Sequence, residues 1–125
     1  MDSLKSRIFK SPGYQIGSNG SCWLYNGFAS PGGYIIIGFR HPETKKLTSS
    51  SVHRLSFVLS QGQDMFEMPP RDLDASHLCH NKTCIRPEHI SLEPKSTNSQ
   101  RKNCVSQGKC LGHDPYPKCF LELKL

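Results

Sequence analysis

The stretch whose reading decides the fold runs from His77 to Cys119: HLCHNKTCIRPEHISLEPKSTNSQRKNCVSQGKCLGHDPYPKC. It holds five of the six cysteines and four of the six histidines. Cys79, Cys84 and His89 follow one another with four residues between each, and Cys104, Cys110, His113 and Cys119 make a complete set of four. The first group needs a fourth ligand, and Cys22 is the only cysteine left. Structural zinc takes four sulfur or nitrogen ligands, and Cys₃His is a standard closed set. Two sites, Cys22/Cys79/Cys84/His89 and Cys104/Cys110/His113/Cys119, thus use every cysteine. The rival reading pairs the cysteines as disulfides, which would require no interleaved histidines, and no secretory signal opens the chain. Two structural Zn²⁺ are expected, the mixed His/Cys ligation favouring zinc over iron.

The rest of the composition agrees with a metal-stapled domain. A chain of 125 residues suffices for one domain, yet only 35% of it is apolar. A thin core of this kind commonly depends on metal. Lys and Arg number 16 against 10 acids, a net charge of +6 that six thiolates and two Zn²⁺ would reduce to +4. That balance suits a polyanionic partner. The longest apolar run, Tyr34 to Phe39, falls far short of the ~20 residues that span a bilayer. No membrane segment is expected, and an intracellular location follows.

Outward from the metal stretch, short elements are predicted. Residues 1–13 read as a short helix or a loose arm. Cys22-Trp23-Leu24-Tyr25 resembles a strand, and Tyr34 to Arg40 (YIIIGFR) is rich in β-branched and aromatic residues. After the His41–Thr44 turn, Lys45 to Thr48 could return as its hairpin partner. A ribbon carrying Arg40, Lys45 and Lys46 has the shape to enter a major groove. Ser49–Ser51 offer N-caps to a helix whose stripe is Val52, Leu55 and Leu59, with Gly62 as its stop; His53 and Arg54 sit beside the stripe to pack or orient it. Gln61 to Ser76, with Pro69-Pro70, reads as a connecting loop. His89 to Glu93 alternates like a strand and Pro94 stops it. Thr97 and Gln100 then form a capping box for a helix to about Cys104, on which Asn98, Arg101 and Lys102 share a face.

His77 is needed by neither metal set, and Asn98 lies in the first turn of that helix. A histidine on one strand and an amide oxygen on the helix can face each other across a ββα unit. Phosphodiester hydrolysis needs a base, which a neutral imidazole supplies, and a hard cation, for which Asn98 offers one oxygen. The blander readings are a histidine that packs beside a zinc ligand and an asparagine that caps a helix.

His77-Leu78-Cys79-His80-Asn81, Cys84, Pro87-x-His89 and Asn98, followed by Cys104, Cys110, His113 and Cys119, closely resemble the His-Cys box of the intron-encoded homing endonucleases. These belong to the wider His-Me finger (ββα-metal, HNH-like) nucleases. Cys22-Trp23, Gly33-Tyr34 and Val52-His53-Arg54-Leu55 resemble further segments of this class, so the resemblance covers roughly residues 20 to 119. It implies an α+β fold: a zinc-stapled ββα-metal core with an N-terminal antiparallel β-ribbon and few short helices. One nuclease domain would span 1–125, with an arm at 1–19, ribbon and helix at 20–62, and the His-Cys box at 77–119. Implied too is a Mg²⁺-dependent DNA endonuclease leaving 5′-phosphate and 3′-hydroxyl ends, found in the nucleus or wherever its target DNA lies. His77 would be the general base, Asn98 the ligand of one catalytic Mg²⁺, and Arg40, with Arg54 as fallback, the arginine that stabilises the transition state. Arg40, Lys45, Lys46, Arg101 and Lys102 would contact double-stranded DNA. The resemblance implies a homodimer held by an extended C-terminal tail. Here only six residues follow Cys119, so a monomer that nicks stands beside the dimer. A catalytically silent zinc-dependent nucleic-acid-binding module is the alternative function.

Overall fold

The structure, a computed structural model, describes residues 4, 8–9, 14–16, 22–25, 29–61 and 67–123, with the backbone alone at 14–16 and 123. In chain order the elements are β1 (Tyr14–Ile16), β2 (Trp23–Tyr25), β3 (Ile36–Arg40), β4 (Leu47–Ser51), α1 (Val52–Leu59), β5 (Leu73–His77), a 3₁₀ turn (Pro87–His89), β6 (Ile90–Pro94), α2 (Lys95–Gln107) and a second 3₁₀ turn (Leu121–Leu123). The strands pair antiparallel as β1–β2, β3–β4 and β5–β6. The fold is therefore α+β, built from three ribbons and the helices α1 and α2, with Leu4, Ile8 and Phe9 also helical.

The β3–β4 hairpin forms as the β-branched run predicts, in the register Ile36↔Ser51 to Arg40↔Leu47. His41 organises its turn: Nδ1 accepts the amides of Glu43 and Thr44 at 3.2 and 3.3 Å. Ser49, Ser50 and Ser51 all belong to β4, and Ser51 also occupies the N-cap position of α1 without a side-chain bond. The apolar stripe of α1 buries Val52, Leu55, Val58 and Leu59 against Ile35, Phe39 and Ile85. Leu4 and Ile8 of the N-terminal segment join the same core. Gly62 lies outside the described residues.

Three readings of the sequence are corrected. The segment taken as a loop up to Ser76 contains β5, whose residues LDASH include no β-branched side chain. Its strand character comes from pairing with β6, Leu73↔Pro94 through His77↔Ile90, rather than from local propensity. β6 starts one residue later than expected, because Pro87–His89 forms a 3₁₀ turn. α2 begins at Lys95 directly after Pro94, without the Thr97/Gln100 box, since β6 leads straight into it. It also runs past Cys104 to Gln107 and ends where Gly108 takes a left-handed φ of 72° that favours glycine.

Arg101 supplies a fourth correction. It is buried beneath α2, not exposed to a DNA partner: its Nε and Nη2 donate to the two carboxylate oxygens of Glu93 on β6, each at 2.7 Å. The two side chains are 1% and 0% exposed. Nη1 of Arg101 reaches Cys119 Sγ at 3.4 Å. The arginine thus bolts helix, strand and the second cysteine cluster together. Because breaking a buried ion pair strands a desolvated charge, Arg101→Met should destabilise the zinc-loaded chain by about 3–5 kcal/mol. Urea unfolding measures this; a residue serving only as a DNA contact would leave stability within about 0.5 kcal/mol.

Candidate metal centres and the histidine cleft

Both cysteine clusters assemble. In the first, Cys22 comes from just before β2, Cys79 and Cys84 from the loop after β5, and His89 from the 3₁₀ turn; the four ligand atoms lie within 4.8 Å of one another. His89 Nδ1 stands 3.6 Å from both Cys22 Sγ and Cys84 Sγ. Tetrahedral zinc, with Zn–S of ~2.3 Å and Zn–N of ~2.0–2.1 Å, places its sulfur and nitrogen ligands ~3.5 Å apart. The donor set therefore fits that ion. In the second cluster, Cys104, Cys110, His113 and Cys119 also converge within 4.8 Å. Here His113 presents Nε2, 3.3 Å from Cys104 Sγ and 3.7 Å from Cys119 Sγ. Two zinc ions can be held, one in each cluster.

Polar neighbours orient these ligands, as metal sites require. Asn81 Nδ2 donates to Cys22 Sγ at 3.1 Å, the Cys119 amide to Cys110 Sγ at 3.3 Å, and Gln100 Oε1 stands 3.4 Å from His113 Nδ1. All six cysteines are thiols rather than disulfides. Within the first cluster, the hydrogen bond between Cys79 and Cys84 pushes Cys79 up and pulls Cys84 down to about 5. A divalent cation displaces such shared protons, which makes metal uptake pH-dependent.

Beside the first cluster lies a stack of rings. His77 closes β5, His53 rises from α1 and Tyr34 precedes β3; the His53 and His77 centroids are 4.1 Å apart, with Tyr34 at 5.3 Å from His53 and 5.9 Å from His77. His77 Nε2 lies 2.9 Å from the Cys84 carbonyl oxygen. A carbonyl only accepts, so Nε2 carries the proton and Nδ1 is the basic nitrogen of the neutral ring. Burial, with His53 alongside, holds His77 well below 6.5. His53 is fixed in the same way, Nε2 donating to Ala75 O at 2.8 Å, and burial lowers it to about 4.

His77 and Asn98 line one cavity of about 90 Å³, together with Tyr34, His80, Lys82, Arg101 and Lys102. Asn98 and Tyr34 also border an adjoining cavity of about 280 Å³, with Arg54, Asp74 and His53 among its walls. The predicted base and metal ligand are thus brought together. Arg40 is not: it stands at the turn end of the hairpin, exposed, with Nη1 on the Lys45 carbonyl at 3.1 Å. Ile36 and Ser51, which do border the larger cavity, are four positions along β3–β4 from it, some ~13 Å of strand. Arg54 reaches that cavity, but its guanidinium donates to the carbonyls of Leu73, Pro69 and Pro70 at 2.7, 3.0 and 2.6 Å, bracing the entry to β5. Lys45, Lys46 and Lys102 are exposed. Sequence reading passed over Asp74, Lys82 and Tyr34 in this cleft, because Asp74 lay in an assumed loop and neither of the others stands in a recognisable spacing.

Two cysteine-histidine clusters, each able to hold a zinc ion, flank an antiparallel strand pair and a following helix in an α+β fold. Residues 21–121 match the family model described as the zinc-binding loop region of homing endonuclease, and the chain belongs to that family. Membership gives it a nuclease-related character. No curated protein and no solved structure matches the chain. Among the described residues, no helix is long and apolar enough to cross a membrane.

Two outcomes are expected. Elemental analysis should find two zinc ions per chain, and Cys22→Ser or Cys110→Ser should each lower the content toward one. A folded chain free of zinc would contradict this. Secondly, His53 is neutral when folded but gains a proton below about pH 6.5 when unfolded, so stability falls as pH drops from there toward the folded value near 4. Between pH 7 and pH 5 this costs roughly 2 kcal/mol. Urea midpoints of the zinc-loaded wild type should fall correspondingly further over that interval than those of His53→Gln, which shares the metal ligands but not the ring.

Proposed function

We propose that the chain is a Mg²⁺-dependent DNA endonuclease with a ββα-metal (His-Me finger) core formed by β5, β6 and α2 within a single domain. The observation that carries this reading is the meeting of His77 and Asn98 in one cavity from two different elements. A neutral, buried base beside a hard oxygen ligand is what phosphodiester hydrolysis asks for, and a binding module has no use for it.

His77 Nδ1 takes a proton from water as its oxygen attacks phosphorus. The bond from phosphorus to the 3′ oxygen breaks, leaving a 5′-phosphate, and the departing oxygen gains its proton from solvent. The hydrogen bond from Nε2 to the Cys84 carbonyl keeps the ring oriented and supports the imidazolium that forms. Since Cys84 is itself a cluster ligand, the first metal site sets the base. Asn98 would hold a single Mg²⁺ through its amide oxygen; the ion, when bound, offsets charge on the phosphate and the leaving oxygen. Lys82 and Lys102 add positive charge to the same cavity, and they stand closer to it than Arg40. Arg40, Lys45 and Lys46 remain suited to DNA along the exposed hairpin. Each phosphate contact they make would be sequence-independent and salt-sensitive.

Supercoiled plasmid tests the reading. Zinc-loaded wild type should nick or linearise it only with Mg²⁺, and His77→Ala should lower the rate by about 10²–10⁴-fold while keeping both zinc ions. The ratio of nicked to linear product separates a monomer from a paired dimer. Wild type that binds plasmid but leaves it intact across divalent ions would replace this reading with the silent binding module.

A further inference from the structure

Asp74 has no part in the chemistry described so far, yet it touches Asn98 directly. It sits on β5, paired with Glu93 of β6 and three residues before His77. Its Oδ2 accepts from Asn98 Nδ2 at 2.9 Å, and its Oδ1 accepts from Lys95 Nζ at 2.7 Å. Both donors come from the first turn of α2, so one carboxylate spans the joint between strand and helix. With Lys95 Nζ paired to Oδ1 at 2.7 Å and Asn98 Nδ2 on Oδ2, the carboxylate meets a donor on each oxygen and faces Asn98 as an acceptor.

An asparagine amide has two ends of similar shape and opposite hydrogen-bonding character. Facing a carboxylate, only the NH₂ end is acceptable, because the flipped amide would set oxygen against oxygen. Asn98, like Tyr34, lines both cavities, and Asp74 borders only the larger of them. With Nδ2 committed to Asp74, the amide oxygen is turned away from the carboxylate. Deciding which end of Asn98 is presented decides whether a cation meets an oxygen or a pair of hydrogens.

Resting on the nuclease reading above, we infer that Asp74 is a positioning residue: by holding Asn98 Nδ2 it fixes the amide oxygen as the ligand for the hard divalent cation. The carboxylate acts through Asn98, and Lys95 in turn tethers the carboxylate. Such outer partners typically govern metal affinity by 10–100-fold.

The test titrates Mn²⁺ alone, followed by electron paramagnetic resonance, into zinc-loaded wild type, Asp74→Asn, Asn98→Ala and the double variant. In parallel, nicking is measured against Mg²⁺ concentration. Asp74→Asn, which keeps the shape but can present its own NH₂ to the amide, should weaken Mn²⁺ by about 10–100-fold and raise the Mg²⁺ needed for half-maximal nicking to match. Zinc content and urea midpoint show whether the variant is folded. The double variant should be no weaker than Asn98→Ala, since both changes remove the same ligand. Weakened Mn²⁺ with this non-additivity supports the inference even if wild type never nicks DNA, in which case the nuclease reading alone falls. Wild-type Mn²⁺ affinity and Mg²⁺ dependence in folded Asp74→Asn overturn the role of Asp74 while leaving the nuclease standing. Mn²⁺ binding that Asn98→Ala does not alter, or no Mn²⁺ binding by wild type, overturns it as well.

Discussion

The structure depends on ligation that closes long loops. Cys22, just before β2, meets Cys79, Cys84 and His89 from far along the chain, His89 being 67 positions away. The backbone follows the same seam: the Ile85 amide donates to Trp23 O at 2.8 Å and the Tyr25 amide to Thr83 O at 2.9 Å. With only 35% apolar residues, hydrophobic burial in a chain this small offers little surplus over the entropy of ordering it. The main core gathers on one side of α1, while the cysteine clusters hold the metal loop and the C-terminal segment. Zinc held in these clusters would contribute folding energy, as in other small stapled domains.

The second cluster does a different job. It grips the far end of α2 through Cys104 and, through Arg101, ties Cys119 to Glu93 on β6. Asn98 lies on that helix between its N-terminal joint with β5 and these bolts. The first cluster positions the strand and loop that carry His77 and its carbonyl partner; the second positions the helix that carries Asn98. Side chains placed on braced elements, rather than on loops, hold their geometry without help from a ligand.

Much of this was legible in the chain. Cysteine and histidine spacing identifies both ligand sets, because a tetrahedral site imposes a count and a residue type that few other purposes impose. The YIIIGFR run announces β3, and Val52, Leu55 and Leu59 announce α1. Less legible was whatever tertiary pairing dictates. LDASH carries no strand propensity and becomes β5 only because β6 runs beside it. Arg101 has the sequence position of a surface cation, yet its burial depends on Glu93 arriving from the preceding strand. The Tyr34–His53–His77 stack joins three separate elements, and no local pattern encodes it.

The central claim is that the zinc-braced scaffold brings His77 and Asn98 to one cavity as base and metal ligand. Anomalous diffraction from crystals of the zinc-loaded chain bound to duplex DNA and soaked in Mn²⁺ tests it most directly. The account predicts zinc peaks within both cysteine clusters and a manganese peak at the Asn98 amide oxygen, in the cavity that His77 lines. Zinc in both clusters with manganese bound elsewhere, or nowhere, would contradict it.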